Sequence, residues 1–166
     1  MAYIYHYLSP LGKITMSSGG EAITGLWFEG QKYYGSTIKK AKIEEKKLYV
    51  FESAEKWLDI YFGGREPGFI PLLQMEATPF RRLVWEILLT VPYGKTVTYK
   101  ELAEKAAVKM GLLRMSPQAV GGAVGHNPIA IIVPCHRVIG SDGSLTGYAG
   151  GIERKKKLLE LETLKL

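Results

Sequence analysis

A chain of 166 residues with 46% hydrophobic side chains can bury a core in one or two small domains, which excludes a disordered or fibrous protein. Its formal charge of +6 lies wholly in the second half: residues 1–80 hold nine Lys/Arg against nine Asp/Glu, residues 81–166 thirteen against seven. The imbalance points to a polyanionic partner for that half, nucleic acid ahead of membrane, because no amphipathic basic helix opens the chain.

Residues 1–10 lack the basic and continuous apolar parts of a secretory signal. The uncharged run 115–135 is broken by Ser116, Pro117, Gln118, His126 and Asn127, so it does not read as a membrane span. A cytoplasmic location is expected. One cysteine rules out an internal disulfide, and no Cys/His cluster has zinc-ligand spacing, so no metal and a reduced thiol are expected.

From the N-terminus, Ala2 to Leu8, Ile14 to Ser17 and Ala22 to Phe28 are apolar stretches separated by Ser9-Pro10-Leu11-Gly12 and Gly19-Gly20, the pattern of a small antiparallel sheet. A Lys/Glu-rich stretch follows, read as a solvated loop or short helix. Glu52 to Phe62 has helical spacing in Ala54, Trp57, Leu58 and Tyr61 and stops at Gly63-Gly64. Gly63 to Met75 is the natural linker, dividing the chain into 1–75 and 76–166.

In the second part, Thr78 can cap a helix with Pro79 in its first turn and an apolar stripe of Phe80, Leu83, Val84, Ile87 and Leu88. Thr98 and Glu101 have capping-box spacing for a second helix, and Ser116-Pro117 begins a third. The last two, across a turn containing Gly111, suggest a helix-turn-helix. Gly121-Gly122 inside a helix costs roughly 1 kcal/mol per residue against alanine, so close approach of another backbone is their expected reason. Ile129 to Val133 reads as a short buried strand, Pro134 to Arg137 as a tight bend, and Glu153 to about Leu164 as a last helix. The fold class expected is α/β (α+β): an antiparallel sheet domain with a helix, then a mainly helical domain with the helix-turn-helix and the strand before Cys135.

A lone cysteine is often a small buried hydrophobe. Cys135 instead stands between Pro134 and His136-Arg137 after an apolar run, where imidazole and guanidinium favour the thiolate that attacks carbon. Neighbouring residues on an extended backbone point apart, so Cys135 and His136 need a bend or a bridging water to communicate. Glu162, beside the apolar face of the last helix, is a candidate to orient the imidazole; a solvated glutamate is the alternative.

Asn127-Pro128, then Pro134-Cys135-His136-Arg137-Val138, then Gly147-Tyr148-Ala149-Gly150-Gly151, resembles the O6-alkylguanine-DNA alkyltransferases, or methylated-DNA–protein-cysteine methyltransferases. The resemblance extends through Ala119-Val120-Gly121-Gly122, Thr98-Tyr99 and Thr78-Pro79-Phe80, and more loosely through Ser9-Pro10-Leu11-Gly12 and Gly25-Leu26-Trp27-Phe28. It implies a protein acting as a monomer on double-stranded DNA that contains alkylated guanine. The helix-turn-helix would enter the minor groove, the damaged nucleotide would leave the stack, and its alkyl group would pass irreversibly to Cys135 without a cofactor.

By position, the resemblance implies that His136, through water and held by Glu162, deprotonates Cys135. It likewise implies that Asn127 fixes the bend, and that Tyr99 presses the target phosphate and helps neutralise the departing guanine; a core aromatic is the alternative for Tyr99. Gln118, Ala119, Gly121 and Gly122 are the implied DNA contacts, and Val138 with Tyr148, Ala149 and Gly150 would line the base pocket, chiefly through backbone groups and the Tyr148 ring; Arg114, just before the second helix, is a candidate to compensate for Gln118, and Arg137 is a further candidate DNA contact. Gln118 stands where the family usually has arginine and Ala149 where it often has serine, so a charge and a hydroxyl are missing. A Cys-His hydrolase would need direct contact between adjacent residues, and a non-repairing lesion binder would not need the cysteine.

Overall fold

The computed structural model describes residues 1–163. Strands β1 (Ala2–Ser9), β2 (Gly12–Ser18) and β3 (Ile23–Phe28) form the expected antiparallel meander, in the order β3-β2-β1. A fourth strand, β4 (Ile43–Glu45), pairs parallel with β1 inside the Lys/Glu-rich stretch read as loop or helix. Its residues are all exposed, so they carry no alternating apolar signal; pairing to the β1 edge alone decides their conformation. Helix α1 (Tyr49–Phe62) covers the sheet with Phe51, Ala54, Trp57, Leu58 and Tyr61 buried.

Helices α2 (Pro79–Leu88), α3 (Tyr99–Met110) and α4 (Pro117–Gly125) start at the expected caps, where Thr78, Thr98 and Ser116 accept backbone N–H bonds. At Thr98 the Glu101 carboxylate accepts from the threonine hydroxyl at 3.1 Å, a variation on the reciprocal backbone bond of a capping box. Gly111 ends α3 in the left-handed conformation, φ 68°, which turns the chain into α4. Trp85 donates to the Ala123 carbonyl and ties α2 to α4 beneath this helix-turn-helix.

The expected strand at Ile129–Val133 is not formed. Only Ile129 bridges to Leu26; beyond it the chain folds into a buried turn with Ile131 at φ 69° and Val133 N–H bonded to the Ile129 carbonyl. A short apolar run reports burial, not conformation, and here the polar groups are met by a turn. A single 3₁₀ turn, Cys135–Arg137, follows, and then β6 (Val138–Ile139) pairs parallel with β5 (Val97–Thr98). Helix α5 (Ile152–Glu162) closes the described chain; Leu164, placed by sequence near its end, lies outside the described residues.

One core joins the halves, packing Ile14, Leu26 and Phe28 with Val84, Leu102, Val120 and Ile129. The segment 63–75 also follows β3, with Ile23 N–H bonded to the Leu72 carbonyl and Gln74 N–H to that of Ile23. No helix among the described residues is long and apolar enough to cross a membrane.

Candidate active site around Cys135

The turn that delivers Cys135 is clamped by one side chain. Asn127 Oδ1 accepts from Ile129 N–H and its Nδ2 donates to the Val133 carbonyl, both at 2.9 Å. Strand β3 supplies the outer bonds, Leu26 N–H to the Pro128 carbonyl and Ala130 N–H to the Leu26 carbonyl. Thus the first half holds the backbone that presents the cysteine.

Cys135 is 6% exposed. Burial pushes its thiol up to about 11, while the Asn127 amide and the Lys155 ammonium draw it down. Burial thus opposes the thiolate that adjacent His136 and Arg137 were expected to favour. Both of those side chains turn away into a carboxylate network.

That network centres on Glu162, whose side chain is 1% exposed. It accepts from His136 Nε2 at 2.5 Å, Tyr61 Oη at 2.6 Å, Arg137 Nε at 2.8 Å and Gly94 N–H at 3.1 Å. Burial opposes ionisation of Glu162, but the His136 hydrogen bond and the Arg137 guanidinium hold its pKa down to about 2. Burial lowers the pKa of His136; the Glu162 carboxylate opposes this, and the Arg137 and Lys155 charges add to it, leaving the net direction downward. In the neutral ring, with Nε2–H on the carboxylate, Nδ1 is the bare basic nitrogen; it is buried and has no protein partner among the described residues.

Cys135 faces a cavity of about 370 Å³, whose walls include Tyr99, Gly121, Gly122, Tyr148 and Ala149. This volume lies within the range of small-ligand sites. Three residues expected to touch DNA or the base do not line this cavity. Arg137 is buried, spending Nε and Nη2 on Glu162 and Nη1 on the Val91 carbonyl; Val138 is fully buried and paired with Val97; and Gly150 is buried, its carbonyl bonded to Arg154. In each case burial and pairing compete with the ligand role. Arg114, Gln118 and Ala119 are exposed at the start of α4, outside the cavity wall.

A Cβ at Gly121 would meet the Tyr99 ring at 3.7 Å, an ordinary contact, and one at Gly122 would meet nothing within 4 Å. Packing inside the protein therefore does not explain Gly122, which faces the open cavity. Gly122→Leu should raise helix stability by about 1 kcal/mol and yet slow any reaction that needs a ligand on this face. Thermal unfolding and transfer assays on the same variant would test this; equal activity would remove Gly122 from the binding surface.

Sequence reading missed three contributors. Tyr61, seen only as part of an apolar stripe, donates to Glu162. Arg154 bonds the Leu11 and Gly150 carbonyls and lies over the Phe28 ring, joining the N-terminal hairpin to the glycine-rich loop. Lys155, one of three consecutive lysines, is fully buried and donates to the Thr146 and Gly147 carbonyls at 3.1 Å each. Tyr99 Oη donates to the same Thr146 carbonyl, so α3 and α5 fasten one loop beside the thiol. Lys155→Met should slow iodoacetamide alkylation of Cys135 at mildly alkaline pH by roughly three- to ten-fold, since loss of the ammonium raises the thiol pKa. An unchanged rate would separate Lys155 from the thiol.

Residues 79–164 match the family model of the 6-O-methylguanine DNA methyltransferase DNA-binding domain. The chain is 45% identical to the methylated-DNA–protein-cysteine methyltransferase of Mycobacterium tuberculosis over 154 residues, covering 93% of this chain and 88% of that protein. It is 41% identical to the protein of the same name from Haemophilus influenzae, over 98% of this chain and 87% of that one. The crystal structure of the M. tuberculosis O6-methylguanine methyltransferase superposes with a TM-score of 0.82 at 42% identity, covering 98% and 93% of the two chains. That organism's OGT protein in complex with DNA superposes equally well, at 0.82 with 40% identity over 96% and 92%.

Proposed function

Because the chain belongs to the methylated-DNA–protein-cysteine methyltransferase family, we propose that it repairs O6-alkylguanine in double-stranded DNA by taking the alkyl group irreversibly onto Cys135. It acts as a cytoplasmic monomer, with residues 76–166 engaging DNA and residues 1–75 bracing the reactive turn. The observation that carries this reading is the placement of the sole cysteine at a cavity walled by the Gly121-Gly122 face of the helix-turn-helix and backed by the His136–Glu162 pair.

The thiol proton passes through a bridging water to His136 Nδ1, while Glu162 holds the imidazole by Nε2–H. The sulfur then attacks the alkyl carbon, a C–S bond forms, and the C–O bond breaks with its electron pair leaving on guanine. The proton removed from the thiol returns to the guanine, so the balance needs no co-reactant. The Tyr99 hydroxyl, beside the cavity, helps neutralise the departing base. A thioether has no easy reverse step, and each molecule reacts once.

Methyl transfer from excess methylated duplex should therefore plateau at one equivalent per protein. Continued turnover would contradict the proposal and favour a hydrolase. Duplex affinity should also fall steeply and linearly on a log–log plot against salt, as counterions are released by the basic half; a flat dependence would contradict phosphate contacts.

A further inference from the structure

The cavity wall is not made by the second half alone. Lys32 and Tyr33, from the loop after β3, stand at its rim. The Tyr33 ring stacks on His126 at 4.2 Å between centroids and 24° between planes, and Lys32 Nζ lies 5.1 Å from the same ring. His126 is held in turn by its Nδ1 on the Gly122 carbonyl, so the stacked pair continues the glycine face of α4.

The loop is built to hold this ring outward. Gln31 is buried and accepts from Phe28 N–H, Tyr34 bonds Thr15, and Lys32 N–H bonds the Ala149 carbonyl of the neighbouring glycine-rich loop. Between these anchors Tyr33 adopts φ 61°, a conformation that side chains with a β-carbon disfavour, and remains 38% exposed. A strained, half-exposed aromatic beside an ammonium, at the mouth of a cavity, has the composition of a nucleotide contact.

We propose that Lys32 and Tyr33 form an entry lip for the extruded nucleotide: the Tyr33 ring packs on its sugar and base edge, and Lys32 meets its phosphate. The lip rests on the repair reading above and gives the first half a direct part in choosing substrate. It predicts that reactions with a nucleotide depend on Tyr33, and reactions of the thiol with a small reagent do not.

The test compares methyl transfer from a methylated duplex with iodoacetamide alkylation of Cys135, in wild type, Tyr33→Gly and Lys32→Ala. Glycine removes the ring and relaxes the backbone, so the variant keeps its fold. Tyr33→Gly is expected to slow duplex transfer by roughly ten-fold and leave iodoacetamide alkylation unchanged. Lys32→Ala is expected to reduce the salt slope of duplex binding by about one. Wild-type transfer by Tyr33→Gly, or an equal loss with both reagents, would overturn the lip. Wild-type protein that iodoacetamide labels but methylated duplex does not would overturn the repair reading beneath it.

Discussion

Replacing Cys135 with serine should lower alkyl transfer by more than roughly a thousand-fold, because a hydroxyl at this site is far less nucleophilic than a thiol. The two side chains are close in size, and Cys135 makes its backbone contacts in a turn clamped by Asn127, so the fold and the cavity should persist. Affinity for a methylated duplex is therefore expected to stay near wild type. Binding titrations and transfer assays on Cys135→Ser would separate recognition from chemistry. Loss of both would mean that the thiol is part of the scaffold, and that the site has been misassigned.

Glu162 carries the second large effect. Glu162→Ala leaves the Arg137 guanidinium buried without its carboxylate, and breaking such a pair typically costs about 3–5 kcal/mol. It also frees the His136 ring, so transfer by the folded fraction should fall by roughly a hundred-fold. Glu162→Gln keeps the shape and should cost less stability.

The pH dependence follows from the direction of the shifts. Glu162 has a folded pKa of about 2 against the ordinary 4.5, so its contribution is complete above about 4.5 and is lost as pH falls from there toward 2. His136 is lowered by burial, so below about 6.5 the unfolded chain binds more protons and stability again falls with pH. Urea unfolding across this range should show the lower limb in wild type and a weaker one in Glu162→Gln. Superimposable profiles would contradict the ionised network.

Much of this was legible locally. The caps at Thr78, Thr98 and Ser116 mark the starts of three helices because capping is settled within four residues, and the same short range makes Cys135-His136 and the glycine face of α4 recognisable. Glu162 could be named because helical spacing places it beside Leu158 on the buried face.

Other features depend on contacts remote in sequence. The turn at Ile129–Val133 takes its shape from Asn127 and the edge of β3, neither visible in five apolar residues. Arg137 resembles a DNA contact until Glu162 and the Val91 carbonyl claim its donors. Nothing distinguishes Lys155 from Lys156 and Lys157 except the helical phase that buries it. The part played by Lys32 and Tyr33 depends on the first half folding against the second, which periodicity does not encode.

The most direct measurement is mass spectrometry of the peptide containing Cys135 after incubation with an O6-methylguanine duplex. The account predicts one added methyl group on that peptide and none elsewhere. An unmodified Cys135 peptide from intact, folded protein would contradict it.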